Sequence, residues 1–234
     1  TIKLSIIIPS YCSKRIEKTI TAARAFKPYE IIVVDSSPYK PTIKNVLLHH
    51  QSKRLNAAAA RNKGASLAKG DLYLFIDSDV VLNKNIKTIK SAVKSYESQN
   101  IICGLYERTP NENIISRFQR GVLEKRLNNK NDNHQTIWSS SHFLISRDAF
   151  TESGGFNETF DNYEDVEFFL RCKTFGFNLI LDKEFTGIHL KKFNFISLLK
   201  DYWIKTSAAI KVRTKLPKLF KTNKGNIPML MHLS

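Results

Sequence analysis

The sequence predicts an α/β protein in which helices flank a mixed, mostly parallel central sheet. Three apolar segments, at residues 4–8, 31–34 and 72–76, have the length of buried strands. They alternate with longer segments of helical periodicity, as βα units do. Strands that are apolar throughout are typical of a sheet covered by helices on both faces.

The remaining elements follow from the same patterns. Helices are predicted over residues 14–26 and 55–69, the second containing four consecutive alanines of high helix propensity. Further along, we predict a helix at 86–96, a strand at 101–107, a helix near 114–127 and a strand within 137–146. A helix at about 163–175 should end at Gly176. Two short strands are predicted at 178–181 and 185–189.

The C-terminal segment differs in character from the rest of the chain. Residues 193–215 repeat apolar side chains at helical spacing, with lysines between them. Residues 191–234 hold ten Lys or Arg against the single acid Asp201. The predicted organisation is therefore an α/β domain over residues 1–190 and a basic amphipathic segment over residues 191–234.

Composition narrows the class of protein. A chain of 234 residues with 42% hydrophobic residues supports a sizeable core, and the net charge of +16 predicts an anionic partner. No apolar run approaches the roughly 20 residues of a membrane-spanning helix, and the chain opens without a signal-like leader. Three widely spaced cysteines without metal-ligand spacing indicate reduced thiols. These features predict a cytoplasmic protein.

Two predicted strands run directly into acidic turns, Asp35-Ser36-Ser37 and Asp77-Ser78-Asp79. Ligands of open α/β sheets bind outside the carboxyl ends of strands, so both turns should lie on one rim. The carboxylates of Asp77 and Asp79 repel each other unless a divalent cation or hydrogen-bond donors compensate. Hard oxygen ligands suit Mg²⁺ or Mn²⁺, although helix capping or turn formation explains such a tripeptide equally well.

Several motifs occur together with the acidic turns. They are Ser5-Ile6-Ile7-Ile8-Pro9-Ser10-Tyr11, Ala60-Arg61-Asn62-Lys63-Gly64, Gly154-Gly155-Phe156-Asn157-Glu158, Glu164-Asp165-Val166-Glu167 with Arg171, and finally His189. In this order and spacing the chain resembles the family 2 glycosyltransferases of GT-A fold, over about residues 3–190.

The resemblance implies an inverting transfer of a sugar from a nucleoside diphosphate, with a role for each matching residue. It places Pro9, Tyr11 and Asp35 at the nucleoside, Arg61 near the nucleotide, Asp77 at the ribose or beside the metal, Ser78 in the donor-binding turn, and Asp79 and His189 as ligands of Mn²⁺ or Mg²⁺. The cation would stabilise the departing diphosphate as a Lewis acid.

Asp165 is the predicted general base, because inversion needs a carboxylate to accept the proton of the acceptor hydroxyl. Trp138, Ser140 and Glu164 are predicted contacts to the donor sugar or the acceptor. Adjacent helical residues face different directions, so Glu164 is expected to be solvated or to cap the helix. An acidic first helical turn that favours the helix dipole is the alternative for this pair.

The predicted partners are a nucleotide-sugar donor, with UDP favoured by its frequency in the family, and a carbohydrate or lipid-linked acceptor. The turn Ser36-Ser37-Pro38 departs from the family pattern, in which many members have a second Asp and a Gly. An anionic membrane surface is a further predicted partner, through residues 193–224 on the inner face of a membrane.

Three alternatives remain at this level. A nucleotidyltransferase would also use an acidic metal site beside a parallel sheet, but it should carry a Gly-rich phosphate loop where this chain has Pro9-Ser10-Tyr11-Cys12. A nucleic-acid-binding protein would fit the pI near 9.8, but the chain lacks zinc spacing and RNA-binding motifs. An inactive binding module of the same fold is the third.

Overall fold

A computed structural model describes residues 2–83, 100–107, 113–118, 141–191 and 194–222. Eight strands form one sheet: β1 (Leu4–Ser10), β2 (Glu30–Asp35), β3 (Leu47–His50), β4 (Leu72–Ile76), β5 (Val80–Leu82), β6 (Asn100–Tyr106), β7 (His142–Ser146) and β8 (Asn178–His189). Their order across the sheet is β3-β2-β1-β4-β7-β6-β8-β5. Four of the seven strand pairings are parallel, so the prediction of a mixed, mostly parallel sheet is confirmed.

The helices are α1 (Ile16–Arg24), α2 (Ala57–Leu67), α3 (Arg147–Glu152), α4 (Glu164–Thr174), α5 (Phe195–Lys215) and α6 (Pro217–Thr222). Residues 114–118 are also helical. Asn56 caps α2 by accepting a hydrogen bond from the Ala59 N–H. Asn194 and Ser197 form a reciprocal capping box at the start of α5, which explains why that helix begins two residues later than the periodicity predicts.

Alternate residues of β1 and β4 enter two large apolar clusters, one on each face of the sheet. Ile6, Ile8 and Leu74 belong to the cluster that also contains α1 residues, whereas Ile7 and Phe75 belong to the cluster with α2, α3 and α4 residues. This division is the expected result of the two-residue strand period. It confirms that helices cover both faces of the sheet.

A close approach of α2 to β1 depends on glycine. A Cβ added to Gly64 would lie 2.3 Å from Ile7 Cγ2. Gly64 lies one turn after Arg61. Because glycine has no side chain, α2 packs closely on the sheet at this point, and the Arg61 side chain therefore lies beneath the rim.

One prediction about strands is wrong, and one strand was missed. Residues 178–189 form one strand, β8, rather than two short ones, because β6 pairs with residues 178–181 and again with Thr186 and Gly187, on both sides of an irregularity in the register. The three-residue strand β5 follows the Asp77-Ser78-Asp79 turn and was not predicted; a run of three residues is too short for a periodic signal. The predicted helix at 86–96 lies outside the described residues.

Within the parts of the chain that the structure describes, no helix has both the length and the apolarity needed to cross a bilayer.

Candidate active site

The two acidic turns lie on the same rim of the sheet, on either side of β1. β2 and β4 both pair in parallel with β1, and Asp35 and Asp77 stand at their carboxyl ends. The Asp77 N–H donates to the Ser141 carbonyl at 2.8 Å. The carbonyl of Ser78 accepts hydrogen bonds from the hydroxyls of Ser13 and Thr19, both at 3.1 Å, which fixes the turn to the α1 region.

Asp79 and His189 are brought together by the pairing of β5 with β8. His189 is opposite Val80, and the Asp79 carbonyl accepts from the Leu190 N–H at 2.8 Å. His189 Nε2 lies 3.6 Å from Asp79 Oδ1, with the two side chains 25% and 26% exposed. The ring of Tyr106 packs edge-on against the His189 ring, with centroids 5.2 Å apart.

This pair fits a divalent cation. Metal bonds of about 2.1 Å to a carboxylate oxygen and to an imidazole nitrogen allow one ion to contact both atoms at a 3.6 Å separation. Within the described residues no group of three or more His, Cys, Asp or Glu forms a metal site. Two protein ligands leave several coordination positions for oxygens of a bound phosphate and for water, which is the usual environment of Mg²⁺.

Arg61 lies under the rim and joins two carboxylates. Its Nη2 donates to Asp77 Oδ1 and its Nη1 donates to Glu164 Oε1, both at 2.8 Å, and the side chain is 3% exposed. Burial alone would lower the pKa of this guanidinium, but Asp77 and Glu164 raise it above its ordinary value. Arg61 therefore stays charged, and its buried Nε has no hydrogen-bond partner among the described residues.

The expectation that Glu164 is solvated or caps α4 is wrong. Its side chain is buried against Arg61 because the first turn of α4 packs toward α2, so the solvated position falls to the next residue. Burial raises the pKa of Glu164 to about 7, Asp165 adds to the rise, and Arg61 opposes it. Glu164 thus belongs to the buried framework of the rim.

Asp165, the predicted base, is the more exposed of the two acids at the start of α4. Its Oδ1 accepts the Val166 N–H at 2.8 Å. The preceding residue, Tyr163, has a φ of 67°, a left-handed conformation that is uncommon outside glycine. This backbone turn sets the direction in which α4 presents Glu164 and Asp165.

The loop 154–158 is tied to α2 by one amide group. Asn62 Oδ1 accepts the Phe156 N–H, and Asn62 Nδ2 donates to the Phe156 carbonyl, each at 2.8 Å. Nδ2 also donates to Glu158 Oε1 at 2.8 Å. A Cβ on Gly155 would lie 2.8 Å from Asn62 Oδ1, and Gly155 has a φ of 66°. The motif that contains Asn62 and the loop 154–158 are thus held together by these hydrogen bonds.

Arg171 holds the same loop from the other side. Its Nη2 donates to the Gly155 carbonyl at 2.6 Å, and its Nη1 donates to the Ser153 carbonyl. Glu167 fixes the guanidinium by accepting from Nε at 2.7 Å and from Nη2 at 3.0 Å. Arg171 and Glu167 are therefore structural supports that place the loop beside α4.

A cavity of about 290 Å³ opens between the β1–α1 turn and the segment after β2, with Ser10, Lys14, Asp35, Ser37, Pro38 and Tyr39 among its lining residues. Asp35 is 1% exposed. Its Oδ1 accepts the Ser37 N–H and its Oδ2 accepts the Ser37 hydroxyl, both at 3.0 Å. The Ser10 hydroxyl is buried and has no hydrogen-bond partner among the described residues.

The other predicted nucleoside contacts lie beside this cavity rather than in its wall. Tyr11 is 44% exposed, and the Arg54 guanidinium lies 4.7 Å from its ring centroid. Pro9 is half-buried within β1. Next to the cavity, His50 Nε2 is 3.0 Å from the Ser37 carbonyl, which places the imidazole behind Asp35.

Some predicted residues cannot be placed, and some contributors were not predicted. Trp138 and Ser140 lie outside the described residues. Ser37 was regarded only as a departure from a pattern, although it orients Asp35. Tyr106 was not predicted at all, since a strand-end aromatic has no local signal that separates a site role from packing.

The chain matches the model of the family described as Glycosyl transferase family 2 over residues 5–154. This match covers more than half of the 234 residues, so the protein belongs to glycosyl transferase family 2. It is a glycosyltransferase that uses nucleotide sugars, which removes the nucleotidyltransferase alternative. No individual protein of curated function matches the sequence.

Solved structures confirm the GT-A fold. A mannosyltransferase from Pyrobaculum calidifontis, PcManGT, in complex with GDP-Man and Mn²⁺, superimposes with a TM-score of 0.68 at 15% identity, over 95% of this chain and 68% of that chain. S. aureus TarS 1-349 in complex with UDP gives a TM-score of 0.61 at 15% identity, over 91% of this chain and 66% of that chain.

A longer S. aureus TarS structure gives a TM-score of 0.59 at 17% identity, over 91% of this chain and 40% of that chain. The protein thus spans about two thirds of the shorter relatives and less than half of the longest one. At these identities the likeness establishes the fold.

Proposed function

We propose that the protein is an inverting, metal-dependent glycosyltransferase that transfers a sugar from a UDP-sugar to a hydroxyl of a carbohydrate or lipid-linked acceptor. The observation that supports this most directly is the grouping of three features at one rim of the sheet. The Asp79–His189 pair, the Asp77–Arg61–Glu164 bridge and Asp165 on α4 all belong to one edge of the sheet.

The cavity beside Asp35 is the proposed nucleoside site, with Pro9 and Tyr11 at its margin. Ser37 already occupies one acceptor position on each oxygen of Asp35. One position on each oxygen remains, which a base can use through its ring N–H. UDP is the proposed nucleotide because of its frequency in the family, and the buried Ser10 hydroxyl is a further group that a base could satisfy.

Asp79 and His189 are the proposed ligands of Mn²⁺ or Mg²⁺, and Asp77 and Ser78 hold the turn that presents Asp79. When bound, the cation would neutralise charge on the departing diphosphate. The Lys191 N–H donates to His189 Nδ1 at 3.2 Å, which orients the imidazole with Nε2 toward Asp79.

Asp165 is the proposed general base. It accepts the proton of the acceptor hydroxyl while the hydroxyl oxygen bonds to the anomeric carbon and the bond from that carbon to the diphosphate breaks. Glu164 is unsuited to this step because its carboxylate is buried and held by Arg61. Arg61 and Glu164 instead hold the Asp77 turn and α4 in fixed positions relative to each other. Any contacts of Trp138 and Ser140 with sugar or acceptor remain part of the proposal.

The acceptor class is connected with the basic C-terminal segment. We propose that residues 193–224 contact the anionic, cytoplasmic surface of a membrane, where a lipid-linked acceptor would be reached. The three cysteines of the sequence, Cys12, Cys103 and Cys172, are free thiols, which agrees with a reducing compartment. Nucleic acid is not a proposed partner.

A donor screen tests this function. UDP-, GDP- and dTDP-sugars are incubated with Mn²⁺, and release of nucleoside diphosphate and thermal stabilisation are measured. We expect a response to UDP-sugars that EDTA removes and that Asp79→Ala abolishes. Asp71→Asn is the matched control, because Asp71 lies at the opposite end of β4 and accepts the Lys3 N–H. Failure of every donor to respond would refute the proposal, and retention of anomeric configuration in the product would refute inversion.

A further inference from the structure

The outward face of α5 has an apolar stripe that lies beside the side packed on the protein. Leu198, Ala209 and Val212 are buried, whereas six large apolar side chains are exposed: Phe195, Ile196, Leu199, Trp203, Ile204 and Ile210. At 100° per residue all of them except Ile204 fall within an arc of about 100°, and Ile204 lies about 80° beyond it. Trp203, within this arc, is 77% exposed.

Cations border this stripe. Lys200 and Lys211 follow its edge by about 40° to 60° on the same helical projection. Residues 194–222 contain seven Lys or Arg and one acid, Asp201, whose Oδ2 is already paired with Lys205 Nζ at 2.8 Å. An apolar arc that contains a tryptophan and has a basic margin is the arrangement of a helix that lies in the surface plane of an anionic bilayer.

We infer that α5 seats the enzyme on an anionic lipid surface through the Phe195–Ile196–Leu199–Trp203–Ile210 stripe, with Lys200 and Lys211 contacting lipid headgroups. This inference rests on the proposed membrane contact and specifies its surface. A second protein is the poorer occupant, since a partner surface would have to offer both an apolar groove and excess acid along the helix. A bilayer containing acidic lipids presents both together.

The position of the stripe also relates the membrane to the active site. Phe195 is six residues after His189, and six residues of extended chain span at most about 20 Å. The beginning of the stripe therefore lies close to the rim that holds Asp79 and His189. An acceptor whose lipid part stays in the bilayer would present its hydroxyl within reach of that rim.

Flotation with vesicles tests the inference on the full chain. Vesicles of equal parts phosphatidylglycerol and phosphatidylcholine are compared with pure phosphatidylcholine, and the bound fraction is measured at increasing salt. We expect binding to the acidic vesicles that salt weakens. Leu199→Ser with Trp203→Ser, and separately Lys200→Glu with Lys211→Glu, should each lower the partition coefficient about tenfold or more.

Matched controls alter exposed residues elsewhere. Phe175→Ser removes an aromatic side chain at the end of α4, and Lys18→Glu with Lys53→Glu reverses two exposed charges; both should float as the unaltered chain does. Donor hydrolysis in the absence of vesicles should be unchanged in the stripe variants, whereas Asp79→Ala should lose hydrolysis and still float. The lipid surface and the donor chemistry can therefore fail separately.

Two results would overturn the inference. One is flotation that is absent, or that is the same in the stripe variants and the unaltered chain. The other is a concentration-dependent dimer in sedimentation that the stripe variants abolish without any vesicle binding, which would assign the stripe to a second copy of the chain.

Discussion

The guanidinium of Arg61 donates a hydrogen bond to Glu164 across 2.8 Å, although 103 residues separate the two in the sequence. The contact joins α2, which lies on the first strands of the sheet, to the first residue of α4. The same guanidinium holds Asp77, so one buried cation connects the Asp77-Ser78-Asp79 turn with α4, which carries Asp165.

Replacing Arg61 should lower both the stability of the protein and its catalytic activity. Arg61→Met leaves two carboxylates without their partner, and removal of one member of a buried ion pair costs about 3 to 5 kcal/mol. We expect a matching fall in the free energy of unfolding, measured by urea denaturation. Arg15→Met, at an exposed arginine, is the control and should change it little. An unaltered unfolding free energy in Arg61→Met would contradict the bridging role.

Asp165 and Glu164 are adjacent acids, and only Asp165 is the proposed base. Asp165→Asn should lower kcat about a hundredfold to ten-thousandfold because the proton acceptor is lost. UDP and Mn²⁺ should stabilise that variant as well as they stabilise the unaltered enzyme. Glu164→Gln keeps a hydrogen bond to Arg61 and should retain far more activity. Equal losses in single-turnover rate for the two variants would argue against Asp165 as the base.

Metal affinity should depend on both proposed ligands. His189→Gln and Asp79→Asn are each expected to weaken Mn²⁺ binding about tenfold or more, as measured by calorimetry in the presence of UDP. Tyr106→Phe keeps the ring against His189 and should bind Mn²⁺ almost normally, whereas Tyr106→Ala should bind it less tightly. Normal affinity in His189→Gln would assign the second ligand elsewhere.

The loop at residues 154–158 allows a comparison of two glycines with the same backbone preference. Gly155→Ala introduces a Cβ 2.8 Å from Asn62 Oδ1, while Gly176→Ala, with a φ of 87°, meets nothing within 4 Å. Both substitutions place an alanine in a left-handed backbone conformation, which costs about 1 kcal/mol. Only Gly155→Ala should lose further stability and raise the KM for the acceptor. Identical thermal shifts for the two variants would show that the Asn62 contact is unimportant.

His142 predicts a loss of stability in acid. The ring is fully buried, and burial lowers its pKa to about 4, below its ordinary value of 6.5. Between these pH values the unfolded chain binds the proton more strongly, so stability falls as the pH drops through 6.5 and the loss is complete below about 4. We expect a contribution of about 2 kcal/mol between pH 7.5 and pH 5.

The corresponding measurement is urea denaturation at several pH values, with His142→Gln as the non-titrating comparison. That variant should show a flatter dependence on pH over this window. A Cβ on Gly104 would lie 2.1 Å from His142 Nε2, so Gly104→Ala should displace the ring and is expected to be more destabilising than Gly176→Ala. Parallel pH profiles for His142→Gln and the unaltered chain would refute this account.

Local patterns predicted the central strands and the common rim of Asp35 and Asp77, because buried strand runs and strand-ending turns are encoded within a few residues. The partner of Glu164 could not be predicted in this way. Whether an acid at a helix start is solvated or buried depends on what packs against it, and Arg61 lies far away in sequence. The continuity of β8 was missed for a similar reason, since β6, which pairs with both halves of β8, lies far away in sequence.

The register of strand β8 determines where His189 lies. Its first residues are set in register with β6, and its last residue, His189, is set opposite Val80. The register with β6 shifts after Leu181, whereas residues 186–189 pair continuously with β6 or β5. Because strand side chains alternate between faces, inserting or deleting one residue between Thr186 and His189 would turn the imidazole away from Asp79. Changes in chain length during the divergence of this enzyme should therefore have accumulated outside this short stretch, while the spacing from Thr186 to His189 stayed constant.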